Sequence, residues 1–271
     1  MTRGRESAPD RGAAVAASMA LARSLKRRVR GLLNAAGYTI PCIAKKRHLA
    51  VRRTREEWRW LATLDIRTLV DVGANTGQFA LRYLQQRPES LVYCFEPLED
   101  CFLELRRQMA GVRGFTAFNV ALGDSEGEAD FYRSEFSPSS SLLPMAQTHK
   151  ELYPFTSGIT FETATVRKLD SYRDNITIRG GLLIKIDVQG AEARVLRGGP
   201  SLLDRADAVI VEVGYVGLYE GQAAIEDIIT VLADHGLRFM GFVDQGVRPS
   251  DSLPVYGDVL FVRPESLPQN V

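Results

Sequence analysis

The chain has 271 residues, 45% hydrophobic and 25% charged, an ordinary globular composition with length enough to bury a sizeable core. Its net charge of +1 conceals an asymmetry: residues 1–60 carry 15 Lys/Arg against 4 Asp/Glu and the rest 19 against 29, so a basic arm of about +11 precedes an acidic body of about −10. No apolar run reaches the ~18 residues of a membrane-spanning helix, and the three cysteines, Cys42, Cys94 and Cys101, show no metal-ligand spacing and read as reduced thiols of a cytosolic protein.

Residues 1–12 read as disordered, being charged and without periodicity. Residues 13–35 predict a helix with Leu21, Leu25, Val29, Leu32 and Leu33 along one face and basic residues on the other. Such a helix lies on an anionic membrane surface, or packs on its own domain or on a twin subunit in a homodimer. The apolar start at 13–22 resembles a signal peptide only faintly. It is alanine-rich and is followed by Arg23, Lys26, Arg27, Arg28 and Arg30, a block that tends to stay cytoplasmic. The arm is therefore expected at residues 1–50, with contact, if any, at the inner face of the membrane.

From residue 66 the pattern alternates. Strands are predicted at 68–73, 91–95, 116–122, 182–188 and 208–213, with helices at 77–86, 98–109, 191–203 and 225–235. Two closing strands, 237–243 and 258–262, have no helical pattern between them and predict an antiparallel pair at one edge. The alternation implies a doubly wound α/β domain, a mostly parallel sheet covered on both faces, over residues 51–265. Residues 134–160, which include SEFSPSSSLLPM, break the rhythm. A loop of that length in a compact domain is usually functional, so a lid or substrate-contacting insertion is expected there, between extra strands at 128–132 and 163–169.

The segment VDVGANTGQFA, residues 70–80, ends a strand, turns tightly and opens a helix. Gly73 and Gly77 let the backbone turn and approach a ligand, and the helix start offers unpaired N–H groups. In a doubly wound sheet this turn lies where ligands bind. The spacing is G-x-x-x-G, neither the dinucleotide fingerprint nor a phosphate-binding loop with its lysine. Asp71 and Asn75 point to a ligand carrying an amine or a carboxylate. Glu96, which ends the second strand, is placed to accept from both ribose hydroxyls of an adenosine cofactor. Asp124, after the third strand, is placed to accept from an adenine amino group. The fourth strand ends in KIDVQGAE, where Lys185 and Asp187 share a face; Asp187 reads as a cofactor or substrate ligand and Lys185 as its ion-pair partner. Glu192 is expected to start the next helix. Glu212 ends the fifth strand at the cleft rim, and Tyr215 and Tyr219 beyond it fit an acceptor pocket or plain packing.

VDVGANTGQFA, CFEP, NVALGD, KIDVQGAEARVLRGG, VEV and LYEGQ, in that order, resemble the FkbM-type methyltransferases over roughly residues 50–263. The resemblance implies the seven-stranded methyltransferase fold, S-adenosylmethionine as donor, and O-methylation of sugars, polyketides or lipid-linked glycans. Position by position it implies a cofactor role for Asp71, Gly73, Asn75, Gly77, Glu96 and Asp187. Gln189 stands where that motif usually has Glu.

Methyl transfer to a hydroxyl gains from a general base. The candidates are Asp187, His149 in the insertion, and Glu212. His235 reads as a helix-terminal cation. No adjacent acidic cluster supports a metal. A nicotinamide oxidoreductase is disfavoured by the glycine spacing. A nucleic-acid methyltransferase would suit the arm but not the acidic body, and an inactive adaptor is disfavoured by the retained acids and glycines.

Overall fold

A computed structural model describes residues 58–248 and 250–268; the basic arm, its expected helix and Cys42 lie outside them. Among the described residues no helix is long and apolar enough to cross a membrane.

The chain opens with α1 (Trp60–Thr63) and β1 (Ile66–Val72), then α2 (Gln78–Gln86), β2 (Leu91–Phe95), α3 (Glu99–Gln108) and β3 (Phe115–Phe118). A second group follows: β4 (Ala121–Leu122), β5 (Gly127–Ser134), α4 (Gln147–Leu152) and β6 (Ile159–Arg167). The chain closes with β7 (Gly181–Ile186), α5 (Glu192–Arg197), α6 (Pro200–Leu203), β8 (Ala208–Gly214), α7 (Ile225–Asp234), β9 (Arg238–Val247) and β10 (Pro254–Val262).

The seven-stranded sheet has the order β3-β2-β1-β7-β8-β10-β9. Its first five strands are parallel; β10 is antiparallel to both β8 and β9. The antiparallel strand is thus one place in from the edge that β9 forms. β7 is buried along its whole length, as expected of a parallel strand covered on both faces. One face carries Val70, Val72, Ile184, Ile186, Val209 and Val211 against α5, α6 and α7. The other carries Leu69, Val92, Cys94, Leu183 and Ile210 against α2 and α3.

Three details depart from the sequence pattern. The strand expected at 116–122 divides: Asn119 turns its side-chain amide back onto the Glu96 and Pro97 carbonyls, and β4 leaves for a second sheet, β4-β6-β5. That sheet contains the two extra strands expected beside the insertion, as one longer antiparallel pair. The helix expected at 191–203 breaks at Gly198–Gly199–Pro200. A Cβ on Gly198 would lie 2.0 Å from the Gly123 carbonyl oxygen, and the Asp170 carboxylate caps the second piece through the Ser201 and Leu202 amides. The insertion itself holds α4 and short 3-10 turns at Ser137–Ser139 and Pro154–Thr156.

The order reverses at β1, which has β2 on one side and β7 on the other. A crevice opens at such a switch point beyond the strand carboxyl ends, and here those ends are Val72, Phe95 and Ile186.

Candidate active site

The crevice holds a cavity of about 320 Å³, in the range of small-molecule sites. Its first wall is the turn after β1. Gly73 and Ala74 both donate their amides to the Phe95 carbonyl. Gly73 has φ +77°, and a Cβ there would lie 1.9 Å from the Asp187 carbonyl oxygen, so neither the conformation nor the space admits a side chain. Asn75, also at positive φ (+47°), donates its amide to Glu96 Oε2 at 2.8 Å and its side-chain amide to Ser137 Oγ at 3.1 Å.

Glu96 lines the same cavity. Oε1 takes the Leu98 amide at 2.9 Å. Burial pushes its carboxyl up to about 7, against the opposing pull of these two amides. Around it Phe95, Pro97, Val120, Ala121, Leu122 and Phe131 make the apolar end of the cavity. The other end is charged, with Arg82, Lys185, Asp187 and Asp258.

Asp187 follows β7 and its amide donates to the Val72 carbonyl. Oδ2 takes Lys185 Nζ at 2.7 Å, the expected ion pair. Burial opposes the charge of Lys185, yet Asp187, Asp71 and Asp258 hold its pKa above the ordinary lysine value. Oδ1 takes Gln189 Nε2 at 2.8 Å, and the same nitrogen reaches Glu212 Oε1 at 2.6 Å. Glu192 opens α5 as expected and accepts the Val188 and Gly190 amides, closing the tight turn whose Gln189 and Gly190 both have positive φ.

The insertion roofs the cavity. Ser137, Pro138, Ser140 and Leu142 line it, Ser137 is bonded to Asn75, and Ser141 donates to the Gln189 carbonyl at 2.7 Å. Thus Gly73, Asn75, Glu96 and Asp187 come together around one cavity.

Five other sequence candidates lie elsewhere. Asp71 is fully buried beneath the turn, on the α2 face; burial raises its pKa to about 6, offset in part by Lys185. Gly77 faces α3, where a Cβ would meet Leu105 Cδ1 at 2.7 Å, so its role is to start α2 in a left-handed turn. Asp124 turns away and pairs with Arg197 at 2.8 Å. His149 is folded inward by α4, 4% exposed, its ring 5.1 Å from that of Tyr219; burial lowers it to about 4. Glu212 sits behind Gln189, where burial, then the Asp187 and Asp258 charges, hold its pKa well above the ordinary value.

Sequence reasoning missed Gln78, Phe79, Arg82 and Asp258 on the cavity wall. Asp258 had a signal, an acid within the apolar strand PVYGDVLFV; its Oδ1 is buried without a partner among the described residues.

The profile of the methyltransferase FkbM domain matches residues 71–239. The chain belongs to this family. It is 32% identical over 174 residues to 2-O-methyltransferase NoeI of Sinorhizobium fredii, covering 60% of this chain and 70% of that protein. It is 30% identical over 199 residues to 31-O-demethyl-FK506 methyltransferase FkbM of Streptomyces tacrolimicus, covering 64% and 74%. A solved methyltransferase FkbM from Methylobacillus flagellatus shares 15% identity at a TM-score of 0.46, over 73% of this chain but only 44% of that one.

The cofactor of this FkbM domain is S-adenosylmethionine, and the cavity fits it. The apolar end suits a purine, and the Glu96 carboxylate beside it suits ribose hydroxyls. The mixed charges at the other end suit an amino acid zwitterion. The bare backbone at Gly73 leaves room between the two.

Proposed function

We propose that this protein methylates a hydroxyl oxygen on a sugar, glycolipid or polyketide-type acceptor. The observation that carries the reading is Asp187: a carboxylate on the cavity wall at its charged end, held by Lys185 and Gln189. The names of the relatives, a 2-O-methyltransferase and a 31-O-demethyl-FK506 methyltransferase, support oxygen as the accepting atom.

When bound, the donor supplies an electrophilic methyl carbon on a sulfonium. The chain supplies position and exclusion of water. Glu96 and the Gly73–Asn75 turn hold the nucleoside, and orientation of this kind is worth roughly 7–11 kcal/mol of a barrier. The roof of Ser137, Pro138 and Leu142 keeps solvent out. Asp187 receives the proton of the acceptor hydroxyl, a step worth roughly 10²–10⁴-fold. Lys185, buried, holds the Asp187 carboxylate in place through their ion pair. His149 and Glu212 stand behind this wall, with Tyr219 and Gln189 between them and the cavity.

The test is release of S-adenosylhomocysteine by the purified protein against a panel of glycosides, glycolipids and polyketide alcohols. Wild type turns over at least one alcohol, and Asp187→Asn loses turnover while still binding S-adenosylhomocysteine. Transfer to amines or nucleic acid alone would overturn the reading. We also propose that the basic arm makes a peripheral membrane contact; failure of the full chain to sediment with anionic vesicles at low salt would refute it.

A further inference from the structure

Gln189 has every polar atom of its side chain committed. Its Nε2 carries two hydrogens and faces two carboxylate oxygens, Asp187 Oδ1 at 2.8 Å and Glu212 Oε1 at 2.6 Å. Its Oε1 accepts from Tyr219 OH at 2.8 Å. The nitrogen is assigned to this side because an oxygen in its place would face the Asp187 carboxylate oxygen. Gln189 is held in this pose by the backbone as well, with φ +57° and its carbonyl bonded to Ser141.

The surroundings of Asp187 are crowded with acids. Lys185 is the cation in contact with it. Against that one charge stand Asp71 from β1, Glu212 from β8, Asp258 from β10 and Glu192 from α5, each of which feels the Asp187 charge. Tyr219 and Tyr256 also feel it, and Arg82 of α2 acts on Asp258. Carboxyls packed this closely do not all ionise; protons are distributed among them. A group that decides which acid keeps the proton therefore decides whether the site has a base.

We propose that Gln189 is a positioning residue that selects Asp187 as the ionised acid of this cluster and holds its Oδ1 edge in place at the cavity. The proposal rests on the reading that Asp187 receives the proton of the acceptor. The amide donates to the Asp187 carboxylate, which favours its charged form. It also stands as a neutral spacer between Asp187 and Glu212. A carboxylate at position 189 would bring a further acidic oxygen to within hydrogen-bond distance of both and would leave Asp187 Oδ1 without the donor that the amide supplies. This substitution changes one heavy atom for another of similar size, so its effect is electrical before it is steric.

The experiment is a carbon-13 NMR titration of the full chain labelled at aspartate carboxyls, with the Asp187 signal assigned by its loss in Asp187→Asn. No acceptor is needed. In Gln189→Glu the Asp187 midpoint should rise by about one pH unit or more over wild type. Gln189→Met, of similar length but with no donor, should raise it by a smaller amount and serves as the deciding variant if Gln189→Glu does not fold. Near-ultraviolet circular dichroism checks the fold of each. An unchanged Asp187 midpoint in a folded variant overturns the proposal. Once an acceptor is known, the acid limb of the rate profile should move with the midpoint in Gln189→Glu. Wild-type turnover by Asp187→Asn would instead defeat the base assignment, an outcome separate from the NMR result.

Discussion

Gly73 and Asp187 approach so closely that a methyl group on the glycine would sit 1.9 Å from the aspartate carbonyl oxygen. This contact joins the turn after β1 to the turn after β7, and it sets the distance between the two walls of the cavity. Gly77 is four residues away with a similar φ, +90°, but its neighbour is the flexible end of Leu105. The two glycines should therefore respond differently. Gly73→Ala should lower both stability and S-adenosylhomocysteine affinity, the latter tenfold or more, because the left-handed strain of roughly 1–2 kcal/mol adds to a backbone collision. Gly77→Ala should lower melting temperature while leaving affinity within about threefold, since strain of the same kind is absorbed away from the cavity. Calorimetric titration beside thermal melts checks both.

Glu96 couples cofactor binding to pH. Its carboxyl is pushed up to about 7 by burial, and ribose hydroxyls donate more strongly to the carboxylate than to the acid. Binding must therefore release a proton below pH 7. Affinity for S-adenosylhomocysteine should fall as pH drops below about 7, approaching tenfold per unit. Glu96→Gln should bind weakly with that dependence removed. Titrations in buffers of different ionisation heat measure the proton directly, and no proton release at pH 6 would refute the assignment.

Asp124 and Arg197 form a half-exposed pair off the cavity. Exposed pairs contribute roughly 0–1 kcal/mol. Asp124→Ala should leave S-adenosylhomocysteine affinity within about twofold of wild type; a larger loss would mean that the adenine end extends beyond Leu122.

His149 should matter to acid stability more than to turnover. Burial holds its pKa near 4, below the unfolded value of about 6.5. The unfolded chain therefore takes up a proton first, and the contribution of this residue to stability is present above about pH 6.5 and lost as pH falls toward 4. His149→Gln should flatten the pH dependence of melting temperature in that window relative to wild type, and turnover at pH 7.5 should remain within about threefold. A collapse of turnover with donor binding intact would restore His149 as a base.

Much of this fold was legible because parallel strands bury both faces. Runs such as GLLIKI and AVIVEVG, short and rich in β-branched residues between amphipathic helices, read as buried strands. The glycines and acids at strand ends were legible because position at the end of a strand fixes position at the crevice. What the pattern could not show was direction beyond the strand. Asp71 lies one pleat below the turn and so faces α2 instead of the cavity. Asp124 lies two residues past β4 and follows that strand out of the main sheet. The roof was visible as an irregular stretch, but nothing in SPSS says that Ser137 meets Asn75 or that Ser141 meets Gln189, because such contacts are set by tertiary packing over 48 or more residues of chain.

Ser137 and Ser141 fasten the same short stretch at two places, once to the turn that carries the nucleoside wall and once to the turn that presents Asp187. The Asn75 turn and the Gln189 turn therefore share one fastening. A ligand that shifts Asn75 would load the stretch that steadies Gln189, and one that shifts Gln189 would load Asn75 by the same free energy, as thermodynamic linkage requires. Any coupling between the two walls of the cavity would therefore run within one chain, through two serine hydroxyls.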